Sequence, residues 1–371
     1  MHVIALNWRD LANPRGGGAE VHMEEILAHL ARRGVRCTLL TSGFAGGKAE
    51  DRGDGYRIVR GGHEYDFNLT VPFLYRRVAR ADPPDLVVDD INKIPFYSPL
   101  WAGVPVLAMV PHLMGTTVFR EVNPVLATAV YAAEWPVRRV YRRCHFEVIS
   151  ESTKDDLVAR GWEPARVSVV HCGIDRAVYF PDASVAKADT PSIVYVGRVK
   201  RYKSVDHAIR ALPAVREAVS GATLTIIGDG DKAPELRRLV ATLRLDDAVR
   251  FTGFVPLEEK RRLVQRAHVV VNPSMKEGWG LTNVEANACG TTCVAADSPG
   301  LRDSVRDGVT GLLYPYGDVP ALAKALVRVL HDQTLRTRLE TGGLTWAEQL
   351  TWERCGDETH RLIERILQKG R

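Results

Sequence analysis

The chain has 371 residues, 45% of them hydrophobic and 26% charged, with a formal net charge of +5. That length supports two domains with full cores, and so mild a charge gives no electrostatic case for nucleic acid as a partner. No apolar run reaches membrane-spanning length, and the first residues read as a strand rather than an export signal. The six cysteines are scattered, with no second pair or nearby histidine beside Cys289 and Cys293, so reduced thiols in a cytoplasmic protein are expected.

Residues 3–7 form the first predicted strand. Its loop ends in Pro14-Arg15-Gly16-Gly17-Gly18, and a helix begins near Ala19. The triple glycine lets backbone approach a ligand at a helix start. It is not G-x-G-x-x-G, and no acidic residue follows at the ribose distance of the nicotinamide fingerprint. Strands are predicted at 35–41, 56–59, 86–90 and 106–110. Between them Phe67, Leu69, Val71, Pro72, Phe73 and Leu74 make an apolar patch, expected to pack into the core; the alternative is contact with an amphipathic acceptor. His112 follows the strand at 106–110, and strand C-termini are where open α/β sheets hold ligands.

The helical pattern at 124–143 is expected to kink at Pro136. It carries Arg138, Arg139, Arg142 and Arg143 beside Tyr131, Trp135 and Tyr141, which suits an anionic membrane surface or a solvated face equally. A strand at 146–149, a helix opening at Ser152 with Asp155, and a strand at 167–170 complete this half. A polar, proline-bounded stretch places a linker at 171–190.

The alternation then restarts. Strands are predicted at 193–196, 222–227, 249–251, 267–271 and 292–295. Helices are predicted up to 219 and at 234–243, 257–266, 281–289, 320–330, 335–349 and 351–368. Two runs of strand–helix alternation predict two doubly wound, Rossmann-like parallel α/β domains, at 1–170 and 191–350.

The chemistry concentrates in Asn272 to Gly290, N-P-S-M-K-E-G-W-G-L-T-N-V-E-A-N-A-C-G. Strand, glycine turn and helix build an anion site from unpaired N–H groups and the helix dipole. Glu277 and Glu285 bracket it, with seven residues between them. Carboxylates only accept hydrogen bonds, so beside a phosphate they suit a ligand that also carries hydroxyls, such as a nucleotide sugar. The plain alternative is a βα turn with two solvated glutamates. Arg198 and Lys203 follow another strand and can neutralise a departing diphosphate. Asp229 and Asp231 form a D-x-D that could hold a divalent metal; with the cations already in place, the metal-free reading is preferred.

G-G-G-A-E near the N-terminus, R-x4-K at Arg198 and Lys203, G-D-G, G-F-V and E-G-W-G-L-T-N-V-E together resemble the retaining glycosyltransferases of the GT-B fold, family 4. The likeness is strong in the second half and looser from about 45 to 165. It implies two domains facing across a cleft, the first holding most of the acceptor site and the last helix crossing back onto it. Glu285 would hold the ribose. Glu277 and the backbone of Gly278, Trp279, Gly280 and Leu281, with Thr282 beside them, would meet the donor sugar, and Val255 would line the base. Arg198 and Lys203 would hold the diphosphate, Gly17 and Gly18 would approach it, and His112 would sit near the sugar. No cofactor or metal is implied beyond the donor. Acceptors of this family include glycans, lipid-linked saccharides and small molecules. No protein nucleophile stands at the expected place, which favours front-face transfer. Two features depart from the pattern: Ser204 replaces the usual glycine after the lysine, and Arg302-Asp303 or Asp303-Ser304 replaces the usual proline-glutamate. Rival readings are a nucleotide-sugar-binding scaffold without turnover, and a related epimerase or phosphorylase.

Overall fold

The computed structural model describes residues 1–92, 94–111, 113 and 124–369, with 124–126 and 129 described for backbone only. Contacts divide the chain into an N-terminal unit, Met1–Gly173 with Trp352–Arg371, and a C-terminal unit, Ile174–Thr351.

The N-terminal unit is built on eight strands: β1 (His2–Leu6), β2 (Arg36–Gly43), β3 (Glu50–Arg52), β4 (Arg57–His63), β5 (Leu86–Asp90), β6 (Val106–Val110), β7 (His145–Val148) and β8 (Val167–Val169). Their order in the sheet is β3-β4-β2-β1-β5-β6-β7-β8, with only β3 antiparallel. Runs such as Val3-Ile4-Ala5-Leu6 are buried on both faces, as parallel strands covered by helices must be. Helices α1 (Gly18–Arg32), α2 (Phe67–Ala81), α3 (Pro124–Glu134), α4 (Val137–Val140) and α5 (Glu151–Ala159) supply the cover.

The C-terminal unit has a six-stranded parallel sheet: β9 (Ser192–Val196), β10 (Thr223–Ile227), β11 (Val249–Gly253), β12 (Val269–Asn272), β13 (Thr292–Asp297) and β14 (Gly311–Pro315). Its order, β11-β10-β9-β12-β13-β14, is that of a dinucleotide-binding fold. Helices α6 (Val205–Ala218), α7 (Ala233–Thr242), α8 (Leu257–Arg266), α9 (Leu281–Ala288), α10 (Leu301–Ser304), α11 (Val319–His331) and α12 (Gln333–Glu348) flank it. The last helix, α13 (Trp352–Lys369), packs on the N-terminal unit. There Asp357 accepts from His29 at 2.8 Å, Thr359 donates to Glu147 at 2.9 Å, and a Cβ on Gly356 would lie 2.3 Å from the His29 ring. Only glycine permits that approach.

Four differences from the sequence reading have local causes. Pro136 ends α3 outright rather than kinking one long helix, because its ring removes a donor and crowds the preceding turn. The N-cap of α5 is Ser150, whose hydroxyl accepts from the Thr153 N–H at 3.2 Å, not Ser152. The apolar patch at 67–74 is the start of a helix, which divides it. Phe67, Val71 and Leu74 point into the core, while Leu69 and Phe73, four apart, are 70% and 69% exposed. β3, β14 and α10 are too short to leave a periodic signal.

Candidate functional site

In the C-terminal unit the strand order reverses between β9 and β12, and open α/β sheets bind ligands at such a point. The loop after β9 carries Arg198 and Lys203; the loop after β12 carries Glu277. Backbone contacts hold the first loop rigidly. Gly197 and Val199 donate to Ile227 and Asp229 at 3.0 and 2.9 Å. Cβ atoms on Gly228 and Gly230 would lie 2.1 and 2.2 Å from the carbonyls of Gly197 and Val199. The two glycines of G-D-G therefore exist for backbone-to-backbone packing. The Tyr195 hydroxyl adds a bond to the Arg198 carbonyl at 3.0 Å.

Lys203 and Glu277 form an ion pair across this point, each 16% exposed. Burial disfavours the ammonium, but the Glu277 carboxylate and the Tyr202 hydroxyl together outweigh it, and the Lys203 pKa is raised. Arg198 is exposed and has no carboxylate partner among the described residues. The D-x-D carboxylates are engaged locally: Asp229 accepts from the Gly230 N–H at 2.7 Å, and Asp231 lies 3.3 Å from the Lys200 ammonium.

The Glu277 loop rests on a buried polar network that sequence reasoning missed. Asn272 accepts from the Ser274 hydroxyl at 2.9 Å and donates to Asn283 at 3.2 Å, and Asn283 donates to Ser304 at 3.0 Å. Ser298 donates to the Ser274 carbonyl at 2.8 Å, and Pro299 accepts from the Glu277 N–H at 3.0 Å. Gly300, at φ +81°, sits where a Cβ would come within 2.3 Å of the Glu277 carbonyl. The sequence signal was polar residues at positions where the helix and strand periods demand apolar ones. Arg302 and Asp303 depart from the family pattern without breaking this support, since Asp303 accepts from the Gly300 N–H at 3.0 Å and opens α10.

Gly280, at φ +90°, begins α9 with no side-chain cap, so Leu281 and Thr282 present their N–H groups at its N-terminus. Gly278 is half-buried in the same turn. The Trp279 side chain is core, tilted against Trp346 at 6.5 Å, so only its backbone faces the turn. Glu285, one turn along, pairs with Lys260 at 3.1 Å. Lys260 also bonds the Tyr179 hydroxyl. Val255 is half-buried after β11, and beside it Phe254, which sequence reasoning passed over, is 91% exposed.

The N-terminal unit has its own reversal between β1 and β5. Asn92 donates to Asn7 at 3.2 Å and to Asp90 at 2.9 Å, and the buried Asn7 side-chain amide donates to no acceptor among the described residues. Asp89, the other acid of that strand tip, is structural: it accepts from the Ser98 and Tyr141 hydroxyls, and burial raises its pKa. Gly17 and Gly18 are exposed at the start of α1, where Glu20 already accepts from the Gly17 N–H at 2.7 Å. The preceding loop is pinned by a buried pair, Arg60 to Asp10, at 2.7 and 3.0 Å. His112 lies outside the described residues. Among the described residues no cluster of three or more His, Cys, Asp or Glu side chains is placed to hold a metal.

Residues 180–346 match the family model for glycosyl transferases group 1, and residues 16–178 match the model for glycosyltransferase family 4. A D-inositol 3-phosphate glycosyltransferase from a Nocardioides species is 37% identical over 219 residues, covering 53% of this chain and 48% of that protein. The chain spans about half the length of the curated relatives it matches. Among solved structures, a sucrose-phosphate synthase from Thermosynechococcus elongatus superposes with a TM-score of 0.82 at 22% identity, covering all of both chains. HepE from Anabaena, solved with UDP and glucose, gives 0.77 at 18% identity, covering 98% of this chain and 100% of its own. These likenesses give the two-domain GT-B fold.

Proposed function

The chain belongs to the group 1, family 4 glycosyltransferases, and from that membership we propose that it moves a hexose from a nucleotide diphosphate sugar to an acceptor hydroxyl with retention of configuration. The observation that carries the reading is the meeting of Lys203 and Glu277 at the β9/β12 reversal, beside the exposed Arg198 and the uncapped start of α9.

In this reading Arg198 and Lys203 neutralise the diphosphate as its charge grows, and the α9 N–H groups share that load. Glu277 accepts from donor-sugar hydroxyls, held in place by its ion pair with Lys203. Glu285 takes the ribose, oriented by Lys260. Phe254 and Val255 border the base. Gly17, Gly18 and His112 serve from the N-terminal unit. The acceptor hydroxyl is received at Asn7, Asp90 and Asn92, whose mixed donors and acceptors suit a polyol or saccharide. With no carboxylate assigned as nucleophile, transfer runs on the front face, the leaving phosphate oxygen taking the acceptor proton. The two cations supply the countercharge a metal would bring, so no metal is required.

The test is release of nucleoside diphosphate from UDP-, GDP-, ADP- and dTDP-sugars, with and without a polyol or saccharide acceptor and EDTA, in wild type and Glu277→Ala. The expected result is acceptor-dependent release from one donor, indifferent to EDTA and lost in the variant. Loss of release with EDTA overturns the metal-free mechanism. A donor-induced thermal shift without release for any acceptor favours a binding scaffold instead.

A further inference from the structure

We infer that the outer face of the layer formed by α2, α3 and α4 docks on an anionic lipid bilayer. Helices α2 and α4, the second joined to α3 by a two-residue turn, cover the same face of the N-terminal sheet: Phe67, Val71 and Leu74 on α2, and Val137 on α4 with Tyr141 just after it, share one core cluster with Ile4, Leu6, Ala108 and Phe146. Their opposite sides therefore look outward together.

That outward surface is both apolar and cationic. Leu69 and Phe73 on α2 are 70% and 69% exposed, and Tyr65 just before it is 87% exposed. Tyr131 on α3 is 45% exposed, and Trp135 in the α3–α4 turn is 84% exposed. A monomer surface that leaves this many large side chains on one layer marks a contact site. Arg76, Arg77, Arg80, Arg138, Arg139, Arg142 and Arg143 are exposed among them, and none pairs with a carboxylate among the described residues. Several exposed arginines elsewhere on the unit do have partners: Arg32 meets Asp54 at 2.8 Å and Arg57 meets Glu50 at 2.9 Å. Neither α2 nor α4 contains an acidic residue.

The charge has a recess in which to act. A cavity of about 750 Å³ is lined by Trp135, Arg138, Arg139, Arg142 and Trp162, and by Arg166 with its ion-pair partner Glu163 at 2.9 Å. The guanidinium groups of Arg138, Arg139 and Arg142, which pair with no carboxylate among the described residues, suit the oxygens of a phosphate headgroup. Trp and Tyr at the rim belong at the depth where headgroups meet acyl chains, and arginines beside them gain from anionic lipid. A nucleic-acid or acidic-protein partner would use the same arginines but leave Leu69, Phe73 and Trp135 unexplained.

The residues concerned are separate from those assigned to sugar transfer, so the two readings stand or fall apart. The test is co-sedimentation of the full chain with vesicles of neutral phosphatidylcholine, or of phosphatidylcholine with phosphatidylglycerol, at low and high salt. Binding is expected only to the anionic vesicles, and should weaken with salt. Replacing Arg138, Arg139 and Arg142 by Ala should lower affinity about fivefold per charge. Trp135→Ala should weaken binding at both salt concentrations. Circular dichroism and thermal unfolding of these variants should match wild type, which shows that they fold. Equal binding to neutral vesicles, no binding to either kind, or unchanged affinity in the triple variant overturns the inference.

Discussion

At the places where their strand order reverses, the two units offer different chemistry on similar scaffolds. Between β9 and β12 the side chains are charged: Lys203 and Glu277 pair, and Arg198 stands open. Between β1 and β5 they are mainly amides, Asn7 and Asn92, around the single acid Asp90. Parallel sheets with helices on both faces bring loops together at such a point whatever the sequence, so the loop residues alone decide the ligand. Fixed cations suit a ligand whose charge grows during reaction. Amides, which both donate and accept, suit neutral hydroxyls.

The strongest way to break this contrast is at the charged end. Lys203→Ala should lower kcat by about a hundred- to a thousandfold, the usual cost of a charge-stabilising group. Donor-dependent turnover with soluble acceptor measures it, and near-wild-type kcat would remove Lys203 from the diphosphate.

Protonation separates the units next. Glu147 on β7 is fully buried, and burial pushes its carboxyl from an ordinary 4.5 up to about 8. The native state then holds a proton that the unfolded chain has released. This contribution to stability is complete below about pH 4.5 and declines as pH rises toward 8. Glu147→Gln keeps the Thr359 contact without the titration. Urea unfolding should find the variant close to wild type at pH 5 and more stable by a few kcal/mol at pH 8. Parallel pH profiles would rule out a neutral buried carboxyl.

At the amide end, Asn92→Leu should raise KM for the acceptor about tenfold, as loss of one or two hydrogen bonds implies. Donor affinity, read by thermal shift with the nucleotide sugar, should not change. An effect on the donor alone would move the acceptor away from the β1/β5 reversal.

The smallest effect is expected at Ser204, which adopts the left-handed φ of +49° at the start of α6 where the family pattern has glycine. Relief of that strain by Ser204→Gly is offset by loss of the hydroxyl contact to Tyr316 at 3.0 Å and by glycine's unfolded-state entropy. Stability should stay within about 0.5 kcal/mol of wild type by denaturant titration; a loss well beyond that would mean that the hydroxyl contact outweighs the backbone strain.

Two Rossmann-like units, most strands to within a residue or two, and the E-x7-E and R-x4-K spacings were legible in the chain itself. Hydrophobic runs, glycine turns and local charge are short-range properties, and the backbone near them has few options. What lies across the fold was not legible. The pairing of Lys203 with Glu277, and of Glu285 with Lys260, joins residues 74 and 25 apart in sequence. The support of the Glu277 loop by Pro299 and Gly300 depends on β12 and β13 lying side by side. The division of the 67–74 patch into core and surface waited on the turn of a helix. Sequence determines which side chains each strand end carries; only the assembled sheets decide which of them meet, because strand order and register set distances that no local pattern encodes.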